Sequence, residues 1–420
     1  MAADLPVELG ERAREVAGTK SGPLPCSIGL LPAVRFATGT VLDGPTGPNL
    51  PIGSTSLAHN PFFDPAPRAH TDGLFAREEV YLANRNHGAL LEMLRHDVTP
   101  AGLHYLLNHF DVPYVPDAST WRLDIGGKVA KPLTLTLDDI QRLPQKTLRV
   151  TLECAGSGRA HITPRWQSMP WLHTAVGTSE WTGTPLRHVL ERAGLAPDVV
   201  DISFIGADRG FDRGHEHNYG RSLTPTQAMH EDVLLVYAMN GQPLLPQHGF
   251  PLRLIVPGWY GMASVKWLDR IEALTVPYDG YEQVQSYIYK TSAADPGVPV
   301  SHMRAKSLMV PPGIPDWFTQ ARLVDAGRVT IHGRAWSGNA TPIAKVEFGV
   351  DGAWADAGLD PTGAQYAWRG WHFNWQAERG EHELACRATD INGQTQPLTA
   401  AFDRGGFGNN AVHKVQVTVR

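Results

Sequence analysis

The chain has 420 residues, 42% hydrophobic and 19% charged, a composition that excludes a wholly disordered polypeptide. Lys and Arg number 37 against 42 Asp and Glu, a net charge of −5, which argues against a general nucleic-acid or anionic-membrane surface but leaves room for a local cationic pocket. Three cysteines, Cys26, Cys154 and Cys386, without a CxxC or CxxCH pair, exclude a disulfide framework, a zinc ribbon and an attached c-type haem.

The length predicts two or three domains at ~150 residues each. Residues 1–75, rich in Pro, Gly and Asn without a sustained period, read as an extended arm. No apolar run approaches the ~20 residues that span a bilayer. The first residues also lack the basic start and apolar stretch of a secretory leader. A cytoplasmic protein is expected, or a periplasmic one if a leader has been removed.

Residues 76–304 have the pattern of a mixed α+β domain. Trp121 to Gly127 alternates like a strand, and Thr136 with Asp139 forms a capping box before a short helix that stops at Pro144. Thr184, Pro185 and Gly194 stand where a helix wants its N-cap, first-turn proline and C-terminal glycine. Residues 199–206, 250–258 and 263–276 read as buried strands. Beyond about 305 helical periodicity gives way to short strands, with Asp351-Gly352 and Asn392-Gly393 as turn signals. The spacing fits an all-β, immunoglobulin-like sandwich over 305–420, entered near the Pro-rich stretch 309–317. The fold class is therefore α+β followed by a β-sandwich.

Common phosphate-loop, dinucleotide, serine-elbow and zinc-protease motifs are absent. His215-Glu216-His217 supplies at most half a metal site, and a polar loop is the default reading. Cys154 ends an apolar strand and enters a glycine-rich loop with Arg159 five residues on. A buried thiol is usually a small core hydrophobe. A nearby cation instead favours thiolate, as nucleophile or soft metal ligand. His248, Arg253 and Lys266 cluster around glycine loops at strand ends, a pattern that suits an anionic or phosphate-bearing cofactor.

The run ECAGSGR, the segment VGTSEWTGTPL, the long block VLLVYAMNGQPLLPQHGFPLRLIVPGWYGMASVKWLDRI and the later GRAWSG and AWRGW closely resemble the sulfite oxidase family of molybdenum enzymes, in the same order over residues 80–420. The resemblance implies Cys154 as the thiolate ligand of molybdenum in a molybdopterin dithiolene cofactor. It implies Asn108, His109, Asp208, His248, Arg253, Ser264 and Lys266 as cofactor-binding, and Arg159, Trp181, Tyr289 and Arg369 as the substrate pocket. Residues from about 305 correspond to the family's dimerisation domain, with Arg369 reaching back into the site. The implied reaction is oxidation of sulfite to sulfate by oxygen-atom transfer in a homodimer. Since no haem or flavin motif is visible, electrons would pass to an external acceptor, a cytochrome or oxygen. No nucleic-acid or membrane partner is expected.

Three departures from the family pattern stand out. Leu107 occupies a position where members often carry a pocket arginine, and Ile288 precedes the tyrosine where an acid is frequent. The loop after Arg159, HITPRWQSMPW, is also altered. Arg85, Arg165 and Arg209 are candidate replacements for the missing cation. These departures keep a sulfane-sulfur dehydrogenase or a sulfoxide reductase on the same fold open as alternatives. Two further classes fit isolated features only: a hydrolase or transferase using Cys154 as nucleophile, and a non-catalytic binding module.

Overall fold

The structure is a computed structural model that describes residues 75–420; the expected N-terminal arm (Phe75 apart) and Cys26 lie outside the described residues. Among the described residues helices are sparse: the longest α-helix, Arg77–Arg85, spans 9 residues, and Leu137–Gln141, Arg187–Ala193 and Pro225–Ala228 are shorter still. The first region is built on two sheets. One runs Leu133–Leu135, Leu123–Gly127, Leu268–Leu274, Asp201–Asp212, His215–Leu223. The other runs Lys146–Glu153, Val176–Pro185, Leu234–Met239, with Gln242–Pro243 and Arg253–Ile255 both paired to the last of these.

Local chemistry accounts for most of these boundaries. Thr136 caps its helix as the sequence predicts, its hydroxyl accepting from the Asp139 amide at 3.1 Å. The helix predicted at Thr184-Pro185 instead begins at Arg187. Pro185 still pairs with Leu234 as the end of a strand, and the Thr184 hydroxyl donates to the Ile140 carbonyl at 2.9 Å rather than capping. Gly194 ends that helix at φ +71, as expected of a C-terminal glycine. The strand expected over 250–258 is confined to Arg253–Ile255.

The C-terminal region is a β-sandwich of a four-stranded and a six-stranded sheet. The first sheet runs Lys306–Met309, Gly327–Trp336, Arg369–Ala377, Gly358–Leu359. The second centres on Ile343–Val350, Gly380–Asp390 and His413–Val419. Asp351 and Gly352, both at positive φ (51° and 84°), make the tight hairpin turn the sequence signals. The passage into the sandwich is a change of sheet within one core. Leu308, Val310, Trp336, Trp368 and Phe407 pack in the same apolar cluster as Phe204 and Leu254. Among the described residues no helix is long and apolar enough to cross a membrane.

A buried ion pair ties the two regions at the strand Lys146–Glu153. Lys306 Nζ lies 2.7 Å from Glu153 Oε1 and donates to the Asn409 carbonyl at 2.9 Å, while the Trp336 indole donates to Glu153 Oε2 at 3.0 Å. Both charged side chains are 2% exposed or less. Nearby, His413 Nδ1 accepts from the Met309 amide at 3.1 Å, so that ring is neutral and protonated on Nε2. Burial, with smaller contributions from His161 and Lys306, pushes the His413 pKa down to about 3.

Two outcomes follow. Removing one partner of a buried pair strands the other, so Lys306→Met should cost ~3–5 kcal/mol in chemical denaturation; a loss below ~1 kcal/mol would contradict this role. For His413 the folded pKa lies below the unfolded value of ~6.5. Its contribution is fully present above that pH and is lost as pH falls toward 3. The denaturation midpoint should fall between pH 6.5 and 4.5, and by less in His413→Asn, whose side-chain carbonyl still accepts from Met309. Identical pH slopes would refute the assignment.

Candidate active site

Cys154 is the first residue after the strand Lys146–Glu153, where the chain leaves the sheet for a loop closed by the Ser157 amide donating to the Cys154 carbonyl at 2.9 Å. Gly156 and Gly158 are required there. A Cβ on Gly156 would meet the Arg159 guanidinium at 2.5 Å, and Gly158 takes φ +89 with Asn409 and His173 against it. Cys154 is 5% exposed and lies on the wall shared by two cavities. Burial pushes its thiol pKa up, while Arg159 pulls the other way.

The smaller cavity, about 60 Å³, is a polar cradle walled by His104, Tyr105, His109, Asp208, His248, Arg253, Ser264 and Lys266. Its cations are fixed by backbone carbonyls. Arg253 donates to the carbonyls of His248 and Ser264 at 3.0 Å each, with its guanidinium 4.9 Å from the Trp181 ring centre. Lys266 Nζ donates to the carbonyls of Leu107 and Gln247 at 2.9 Å each and to the Asn108 side chain. Trp267, next in sequence, holds φ at +51, a strained setting for a bulky residue, and its indole donates to the Pro246 carbonyl at 2.7 Å.

Burial dominates the electrostatics of the cradle. It pushes Arg253 down to about 10, His104 to about 4 and His248 to about 2, so both imidazoles are neutral. Lys266 is held well below its usual range by burial and by Arg253, and the Asp208 carboxyl is raised by burial against the pull of Lys266. His104 Nε2, Arg253 Nε and Asp208 Oδ1 are buried without a hydrogen-bond partner. Three desolvated polar atoms around one cavity are costly unless a polar ligand meets them.

The larger cavity, about 720 Å³, shares Leu107, His109, Cys154 and Tyr287 with the cradle and adds Arg159, Trp166, Trp171 and Phe407 on its wall. Arg159 is 4% exposed, donates to the carbonyls of Gly405 and Met169 at 2.9 Å each, and lies over the Phe407 ring at 5.2 Å. The Gly408 amide donates to the Ala155 carbonyl at 2.7 Å and the Asn409 side chain to the Gly158 carbonyl at 2.8 Å. The sandwich thus reaches the thiol loop through residues 403–409.

Of the residues expected at the site, the structure gathers Cys154, Arg159, Asn108, His109, Asp208, His248, Arg253, Ser264 and Lys266 on these two cavities. Three of the expected residues line neither cavity. Arg369 is held in the sandwich by the carbonyls of Asp360 (2.7 Å) and Ile343 (3.2 Å) and lines neither cavity; the 403–409 segment makes the return contact instead. Trp181 is completely buried behind the cradle, as a platform for Arg253, and Trp171 takes its place on the cavity wall. Tyr289 packs under Arg304 at 4.8 Å, with its hydroxyl against Gly408, whereas Tyr287 lines both cavities and its hydroxyl lies 2.8 Å from His109 Nε2.

None of the candidate cations replaces Leu107, which lines both cavities as an apolar wall. Arg165 forms a buried pair with Glu79, Arg85 binds the Phe110 carbonyl at 2.7 Å, and Arg209 pairs with Glu216 at 2.7 Å. His217 faces Glu282 at 3.2 Å, and among the described residues no group of three His, Cys, Asp or Glu could hold a metal.

Residues 109–282 match the family described as oxidoreductase molybdopterin binding domain, and residues 299–420 match the Mo-co oxidoreductase dimerisation domain. The chain belongs to the sulfite oxidase family of molybdopterin oxidoreductases. Human mitochondrial sulfite oxidase is 34% identical over 349 residues, covering 77% of this chain and 62% of its own length. NADH nitrate reductase 1 of Oryza sativa subsp. japonica is 33% identical over 361 residues, covering 79% and 39%. Among solved structures, the sulfane dehydrogenase SoxCD from Paracoccus pantotrophus superposes with a TM-score of 0.68 at 25% identity, over 84% of this chain and 92% of that one. The chain therefore spans between about two fifths and three fifths of the length of these curated relatives.

The family's cofactor is molybdenum held by molybdopterin, and the residues present fit it. Cys154 offers the one soft donor among the residues common to both cavities, which suits a metal that its cofactor carries in. The unpartnered atoms of Arg253, His104 and Asp208 offer one donor and two acceptors to a heteroatom-rich ring system, the neutral His104 carrying its proton on Nδ1 toward the Tyr105 carbonyl. Metal binding also resolves the thiol's electrostatics, because a coordinating thiol is deprotonated outright.

Proposed function

We propose that the chain carries out a two-electron oxidation at sulfur, with sulfite as the simplest substrate: sulfite and water give sulfate, two protons and two electrons, the electrons leaving to an external acceptor such as a cytochrome or oxygen. The observation that carries this reading is the place of Cys154, on the one wall common to a polar cradle and a larger access cavity. When bound, the molybdenum cofactor supplies the two-electron couple and the oxygen-transfer chemistry.

The chain's own residues have separate tasks in this reading. Asn108, His109, Asp208, His248, Arg253, Ser264 and Lys266 hold the pterin. Cys154 ligates the metal. Arg159, fixed by two carbonyls, presents a charge to an oxyanion in a desolvated setting where such contacts are strong. Tyr287, hydrogen-bonded to the neutral, buried His109, takes the proton-handling role expected of Tyr289. The sandwich, which we read as immunoglobulin-like, pairs two copies of the chain through the region that matches the dimerisation domain. A second reading, oxidation of sulfane sulfur, draws on Leu107: an apolar wall beside Cys154 suits a less charged sulfur atom.

Anaerobic mixing of the molybdenum-loaded protein with sulfite, thiosulfate, a sulfoxide or nitrate separates these chemistries. Sulfite or thiosulfate should reduce the metal centre, seen as bleaching of its visible absorption. Reoxidation by nitrate or a sulfoxide, with no reduction by either sulfur anion, would overturn the proposal. Tyr287→Phe should lower kcat by ~10²-fold, within the range for a lost proton-transfer group, and Tyr289→Phe by far less. The reverse order would return the role to Tyr289.

A further inference from the structure

The backbone of Tyr287 is bracketed by a buried cation that lines neither cavity. Arg221, on the strand His215–Leu223, is 1% exposed, and its hydrogen bonds go to carbonyls: Nη1 donates to Glu282 and Nη2 to Val300, the latter at 3.3 Å. Both carbonyls belong to residues that hold Tyr287. The Tyr287 amide donates to the same Glu282 carbonyl at 3.3 Å, the wide i→i−5 bond that closes the π-helical turn Glu282–Ser286. The Tyr287 carbonyl accepts from the Val300 amide at 2.9 Å, which extends the pairing of Ile288–Tyr289 with Val298–Pro299. The guanidinium also lies 5.7 Å from the Tyr287 ring centre, inside the ~6 Å reach of a cation over an aromatic face. His217, Tyr219 and Arg221 alternate along the strand and share one face. His217 Nε2 lies 3.2 Å from Glu282 Oε1, and the Tyr219 ring packs 4.8 Å from His109, the partner of the Tyr287 hydroxyl. The Glu282 carboxylate is therefore engaged by His217, and Arg221 is left with neutral partners. A buried guanidinium without a carboxylate is expensive, and an apolar side chain of similar size would pack without that cost.

We infer that Arg221 is the positioning residue for Tyr287: by anchoring the carbonyls on either side of it, Arg221 fixes the one backbone setting in which the ring lines both cavities and the hydroxyl meets His109. One planar guanidinium can reach both carbonyls at once, which a single ammonium cannot do with the same geometry. Without that bracket the π-helical turn loses the donor behind its closing bond, and the short strand it leads into loses its hold on Val300. A proton-handling group must stay within hydrogen-bond reach of its partner, and a displacement of about 1 Å can cost ~10²-fold in rate. Arg221 itself contacts neither cavity and acts only through Tyr287. The inference rests on the proton-handling role given to Tyr287 and adds the residue that places it.

A site-specific probe and a kinetic cycle test it. With 3-fluorotyrosine in place of Tyr287, Arg221→Lys should shift or broaden the fluorine resonance relative to the parent protein, without any turnover. The same label in place of Tyr366, whose hydroxyl donates to Asp232 at 2.7 Å, should keep its resonance. An unchanged signal at position 287 overturns the inference. So does an equal disturbance of both labels, which would make Arg221 a general support of the fold. In the molybdenum-loaded enzyme, with sulfite and ferricyanide, Arg221→Lys should lower kcat about tenfold and change KM less than about twofold. Added to Tyr287→Phe, the same substitution should cost nothing more, because both act on one group. Losses that multiply in the double variant, or a loss carried by KM, overturn the inference. If Tyr287→Phe alone leaves kcat intact, the proton-handling role of Tyr287 falls, and the fluorine spectra decide the positioning by themselves.

Discussion

Glu153 precedes the thiol that the site is built around, and its carboxylate is as deeply buried as the strand that carries it. A charge in that position is sustained only by a partner with matching hydrogen bonds. Lys306 supplies the charge and the Trp336 indole the second donor, both from the sandwich. The strand end, and with it the direction in which Cys154 points, is therefore fixed by residues more than 150 positions away in sequence. The contacts from Gly405, Gly408 and Asn409 to the 155–159 loop extend the same clamp. A thiol loop set in a sheet alone would be free to shift; held from both regions it keeps one geometry.

The cradle applies the same principle to its cations. Arg253 and Lys266 point their charges at backbone carbonyls, so their positions are set before any ligand arrives and little rotamer entropy remains to be lost on binding. Their cost is desolvation, visible in the lowered pKa values of Arg253, Lys266, His104 and His248. An anionic, heteroatom-rich cofactor offsets that cost by meeting the buried groups left without partners. Stability and function are coupled here: the groups that are expensive to bury are those that recognise the ligand.

Much of this was legible in the sequence, for identifiable reasons. Capping residues marked the helix after Thr136, alternation and turn pairs marked the strands of the sandwich, and contiguous motifs around Cys154 and through residues 248–266 marked the cradle. Not legible were positions that depend on distant packing. Tyr287 and Tyr289 are two apart and would share a face on a continuous strand. The strand begins only at Ile288, after a π-helical turn over Glu282–Ser286 that leaves Tyr287 at φ −90 and ψ 71, so the two rings diverge. Thr184 and Pro185 look like a helix start but are claimed by a sheet. Arg369 and the 403–409 segment both lie in the sandwich, and only the tertiary fold decides which one faces the thiol. The Glu153–Lys306 pair carried no local signal, because neither residue belongs to a motif that announces burial.

We propose Cys154, held by the Glu153–Lys306 clamp, as the protein's ligand to molybdenum. X-ray absorption at the molybdenum edge, on wild type and Cys154→Ser purified from a host that makes the pterin cofactor, tests it most directly. Molybdenum is expected in the wild type, with about one fewer sulfur neighbour around it in the variant. A sulfur count unchanged by the substitution, or wild-type protein without molybdenum, would contradict it.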